Sequence, residues 1–70
     1  MALTAEERVR AVEDAVRQLR AALERAGVTL PSLRMDPLTA AADGALPLVE
    51  LGRCNLDTAL RLATVLEGAR

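Results

Sequence analysis

Seventy residues carry nine arginines, ten acidic residues and a formal charge of −1, with no histidine, lysine, isoleucine or aromatic side chain. That length allows one domain at most. The composition removes the commonest general base, any histidine-based metal site and any aromatic stacking surface for single-stranded nucleic acid.

Leucine (13) and alanine (14) exceed a third of the chain, so the core must be aliphatic, without the about 150–250 Å² that each aromatic side chain buries. A domain of this size buries only about 60% of the surface its unfolded chain exposes, and small scaffolds are commonly stapled by disulfides, a metal or another chain. One cysteine, Cys54, cannot form an internal disulfide. Association is the staple left over, and it points to a homodimer or a complex with a larger protein. A single cysteine also fits a reducing, cytoplasmic setting. Residues 1–7 lack a basic-then-apolar leader, and no apolar run approaches ~18 residues, so neither a signal peptide nor a membrane span is expected. Exclusive use of arginine as the base, with no isoleucine, suggests a GC-rich bacterial genome.

The strongest local pattern predicts a helix over residues 4–26. Thr4 and Glu7 have the spacing of a capping box, and Glu6 and Glu7 sit at the positive end of the helix dipole. Val9, Val12, Val16, Leu19, Leu23 and Ala26 then recur at steps of three and four, a heptad with Val9, Val16 and Leu23 at a and Val12, Leu19 and Ala26 at d. Glu6–Arg10 and Glu13–Arg17 have the favourable i,i+4 order. Gly27 is placed to end the helix as C′, with Val28 folding back on Leu23. Such a helix is ~33 Å long, against a diameter of roughly 28 Å for a compact chain of this length. The rest of the chain cannot easily cover the whole stripe, so Val9, Val12, Val16, Leu19 and Leu23 are the expected dimer or partner interface.

Residues 28–53 contain all three prolines (Pro31, Pro37, Pro47), which exclude a long helix. Alternation of Leu33 and Met35 with polar neighbours predicts one short strand, and residues 46–51 predict a second with Pro47 near its start or on an edge. Asp43-Gly44 is a turn signal. The expected arrangement is an antiparallel hairpin with loop 37–45. Residues 38–42 also admit one helical turn, since Asp36 suits the N-cap and Pro37 suits N1.

A second helix is predicted over residues 55–67, capped by Asn55, with Asp57 in its first turn and Gly68 at its end. Leu56, Ala59, Leu60, Leu62, Ala63 and Leu66 form an apolar arc of roughly 160°, with Asp57, Thr58, Arg61 and Thr64 opposite and Val65 as the apolar exception there. The expected fold is a small α+β domain of order α-β-β-α. Both helices lie on one face of the hairpin, and Leu33, Met35, Val49, Leu51, Leu56, Leu60, Ala63 and Leu66 form the intramolecular core.

Cys54 stands just before the second helix, where the dipole and Arg53 favour a thiolate. No histidine can act on it and no second cysteine can resolve a disulfide, so a small, partly buried packing role is expected rather than a thiol sensor. The carboxylate neighbours Glu6/Glu7 and Glu13/Asp14 lie side by side on a helix and do not converge on a pocket. Asp57/Glu67 likewise reads as solvated helix surface. Gly27, Gly44, Gly52 and Gly68 are isolated and form no phosphate cradle. Residues 1–26 hold five positive and five negative side chains, which argues against a basic face for nucleic acid.

No cofactor, metal, catalytic residue, membrane or small-molecule substrate is expected. The sequence points to a non-enzymatic protein–protein interaction module, a homodimeric adaptor or the regulatory partner of a larger protein. The alternative is a small transcription-associated or antitoxin-like regulator contacting DNA through arginines, with Arg34 and Arg53 on a hairpin ribbon as its best surface.

Overall fold

The computed structural model describes residues 3–41 and 46–68. Three elements dominate: helix α1 (Ala5–Arg25), a two-stranded antiparallel hairpin of β1 (Arg34–Met35) and β2 (Val49–Glu50), and helix α3 (Leu56–Glu67). A single helical turn, α2 (Pro37–Ala40), lies between the strands. The chain is a small α+β fold in the predicted order.

Local chemistry accounts for both ends of α1. Thr4 Oγ1 accepts from the Glu7 amide at 3.1 Å, and the Glu7 carboxylate accepts from the Thr4 amide at 2.9 Å, which completes the capping box. Accepting from the Thr4 backbone amide, and then the side-chain bond, holds the Glu7 carboxyl below the ordinary glutamate value. At the other end Gly27 takes φ 74°, a left-handed conformation that glycine adopts without cost. The Val28 amide then donates to Leu23 O at 2.8 Å and the Gly27 amide to Glu24 O at 3.0 Å, the two bonds of a Schellman motif.

This cap reverses the chain and lays residues 28–33 back along α1 as a strap. Pro31 stands at the second position of a turn closed by the Leu33 amide on Leu30 O. The Arg20 guanidinium donates to Leu33 O at 2.8 Å and fixes the strap's far end to the helix. Val28 and Leu33 are buried with Val12, Val16 and Leu23, and these five form the core, flanked by Leu19, Ala26, Leu30, Met35, Leu62 and Val65. The stripe expected to face a second copy is thus largely occupied within the chain. Val12, Val16 and Leu23 are buried, whereas Val9 and Leu19 are half-buried.

The hairpin pairs Arg34 with Glu50 and Met35 with Val49, and the Asp36 amide on Leu48 O extends the ladder by one bond. The helical turn considered for residues 38–42 forms one residue earlier, inside the hairpin loop. Asp36 is its N-cap by position, but its carboxylate does not cap the backbone. It instead accepts from Thr39 Oγ1 at 3.0 Å, and the same hydroxyl accepts from the Leu48 amide at 2.9 Å, clipping α2 to the start of β2. Pro47, expected at a strand start or edge, is buried beside this clip. The Asp43-Gly44 turn lies outside the described residues.

Helix α3 begins where Asn55 Oδ1 accepts from the Thr58 amide at 2.8 Å. Its packing differs from expectation. Val49, Leu51, Leu56, Leu60, Ala63 and Leu66 were the expected core residues, and all six are exposed, while Leu33 is buried and Met35 half-buried. The helix docks through Leu62 and Val65, with Thr58 half-buried beside them and Arg61 donating to Gly27 O at 3.3 Å. The cause is that α3 is apolar on more than one side. The strap already fills the space over α1, so the narrower Leu62/Val65 ridge suffices to seat the helix. α1 packs on β1, and the two helices do not share one face of the hairpin as expected.

Candidate interaction surface

Polar side chains with chemical potential are engaged locally. Arg17 pairs with Asp14, rather than Glu13, one turn away on α1. Arg61 pairs with Asp57 at 3.3 Å, and Arg34 Nε pairs with Glu50 across the hairpin at 2.6 Å. Arg8 donates to Leu3 O and Arg20 to Leu33 O. Five described arginines therefore have partners inside the chain. On the hairpin ribbon, Arg34 has its charge matched by Glu50, which leaves no doubly positive surface with Arg53. Cys54 is exposed rather than partly buried.

Concave surfaces are shallow: two lie along α1, one of about 320 Å³ beside Val9 and one of about 400 Å³ bordered by Val16, Arg20 and Arg34. A depression of about 190 Å³ between α1 and the strap is lined by Arg20, Leu23, Val28 and Leu33, below the roughly 300–1,000 Å³ of small-molecule sites. Another, beside the hairpin, is bordered by Ser32, Arg34, Glu50, Gly52 and Arg53, where the ion pair already satisfies the charges. Among the described residues no three metal-ligating side chains come together, and no helix is long and apolar enough to cross a membrane.

The surface that stands out is apolar. Leu56, Leu60 and Leu66 on α3 are 74%, 59% and 63% exposed, and Ala59 and Ala63 between them are exposed as well. At roughly 100° per residue these five cover an arc of roughly 120°, centred roughly 145° from the docked Thr58–Arg61–Leu62–Val65 side. Leu46, Leu48 and Leu51, which flank β2 in the segment leading into α3, are each more than half exposed. Scattered exposed leucines are ordinary, but here the exposed apolar side chains gather on one helix face.

Of the five residues predicted as an interface, the structure gives three to the core and leaves Val9 and Leu19 half-covered. The leucines of α3 were present in the sequence as an apolar arc; what the periodicity lacked was a sign of which side faces inward. Val65, set apart as an exception, was that sign. It continues the Thr58–Leu62 row at helical spacing, and α3 seats on that row.

Compared with known proteins, the chain matches no protein family, no curated protein and no solved structure.

Proposed function

We propose that this chain is a non-enzymatic protein–protein interaction module, an adaptor or regulatory partner working in the cytoplasm, whose contact surface is the leucine face of α3. The observation that carries the reading is the exposed arc of Leu56, Leu60 and Leu66, of which Leu56 and Leu60 lie opposite the helix's docking ridge and Leu66 flanks it. Burying a leucine side chain is worth about 1.5–3 kcal/mol, so an unpartnered row of three is a persistent driving force for association. Arg17, Arg34 and Arg61 each face a carboxylate of the chain, which favours this reading over a DNA-binding regulator that needs several arginines to face phosphates.

The test compares wild type with Leu56→Glu/Leu60→Glu by light-scattering mass and by fluorescence of a dye that binds apolar surface. The expected wild type either associates or, as single chains, binds the dye; the variant does neither and keeps its helical circular dichroism. Wild type that stays a single chain and binds no more dye than the variant overturns the reading.

A further inference from the structure

The protomer exposes 5509 Å². A compact monomer of 7.4 kDa exposes about 4,200 Å², so this one carries an excess of about 1,300 Å². Its radius of gyration, 14.1 Å, likewise exceeds the roughly 11 Å expected for 70 packed residues. A standard interface removes about 800 Å² from each partner. The uncovered area is therefore sufficient for one such interface, and α3 presents its most regular apolar row.

The residue order on that row identifies the occupant. Along the middle of the face Leu56, Ala59, Ala63 and Leu66 follow one another at steps of three, four and three residues, with exposed Leu60 flanking them. The pattern reads the same in both directions, large–small–small–large about a midpoint at residue 61. A two-fold axis through that midpoint sets Leu56 of one copy against Leu66 of the other, and Ala59 against Ala63. The alanines permit close approach at the crossing, where packed helices lie ~8–10 Å apart, and the leucines close both ends. The same axis brings Glu67 near the amino end of the other α3, where an acid is favourable. Asp57 and Arg61 already neutralise each other beside the row, so two copies meet without like-charge repulsion there. A face with no net charge and a palindromic shape is self-complementary, as an isologous two-fold contact requires.

We propose that the leucine face of α3 pairs antiparallel with the same face of a second copy of this chain. The inference rests on the interaction-module reading and names its partner. The experiment is absolute mass by light scattering with refractive-index detection, from about 1 µM to about 1 mM, on wild type, Leu60→Glu and Leu38→Glu. Leu38 is 82% exposed and lies on α2, an element separate from α3, and serves as the control. The expected result is twice 7.4 kDa for wild type and Leu38→Glu, and a single chain for Leu60→Glu with unchanged helicity. A spin label on Cys54, exposed just outside the α3 N-cap, reports only distances between copies. The antiparallel pair predicts a label separation of roughly 20–25 Å, against roughly 10–15 Å for parallel helices. Wild type that remains a single chain throughout, a Leu60→Glu variant that still dimerises, or a short label separation overturns the proposal. If the single chain still binds more apolar dye than Leu56→Glu/Leu60→Glu, the interaction-module reading survives without the second copy; if it does not, both fall.

Discussion

Two glycines take left-handed backbone conformations for different reasons. Gly27 has φ 74° with open space where a Cβ would project, so only the backbone requires glycine. Gly52 has φ 81°, and a Cβ there would lie 2.5 Å from Ser32 Cβ, with Ser32 backbone atoms at 3.2 and 3.3 Å. The backbone there is pressed against the strap and cannot yield cheaply. Gly27→Ala is expected to cost about 1–2 kcal/mol, the left-handed penalty alone. Gly52→Ala is expected to cost more, about 2–4 kcal/mol, because the strap must shift as well. Urea unfolding followed by circular dichroism at one protein concentration checks the order; equal losses would show that the strap moves freely. Legibility at this scale was high where the chemistry is local. The Thr4/Glu7 box, the Gly27 cap and the Asn55 cap each depend on neighbours within four or five residues and could be read directly. The approach of Gly52 to Ser32 joins residues twenty apart, and no local pattern announces it.

Among the elements, the two amphipathic helices differ from expectation in which faces are covered. The α1 stripe was expected to face another chain and is covered by the strap, while the α3 arc was expected to face inward and points out. Hydrophobic periodicity identifies an apolar face but not what covers it. For α1 the fold-back of Val28 on Leu23 was read, but not that the chain continues antiparallel over the helix as far as Leu33, which was read as a strand residue. This difference separates two substitutions that periodicity alone treats alike. Val16→Glu places an unpaired carboxylate in a site only 7% exposed, a cost that exceeds the stability of a small domain when no partner is at hand. Leu60→Glu substitutes a residue more than half exposed and should alter protomer stability by no more than about 0.5 kcal/mol. The expected result is loss of helical circular dichroism for Val16→Glu and its retention for Leu60→Glu. A folded, helical Val16→Glu would show that the strap does not seal α1.

Over the whole molecule, the dimensions of 38 × 23 × 15 Å describe a slab built around one long helix rather than a sphere. Among the described residues five buried side chains make a modest core, and α3 is seated by two apolar side chains and one guanidinium bond. Under the proposed pairing of α3, folding and association are linked, because a partner that binds only the folded chain raises its stability by mass action. The thermal midpoint of wild type is expected to rise with protein concentration, while that of Leu60→Glu stays constant. A wild-type midpoint independent of concentration over a hundredfold range would separate folding from association. The need for an additional source of stability was legible in the composition, which lacks aromatics and histidine and has a single cysteine; which side of each helix is covered within the chain was not.

The strap also bears on the order in which the chain assembles. Its bonds join residues close in sequence: Val28 to Leu23 across five positions, and Arg20 to Leu33 across thirteen. Closing such short loops removes little chain entropy, and folds rich in local contacts form fast. Residues 4–33 therefore contain both the helix and the segment that shields it, and all five core side chains can meet before β2 or α3 arrives. The helix with the longest apolar stripe is the one whose exposure during synthesis is shortest, since its cover is the next stretch to be made.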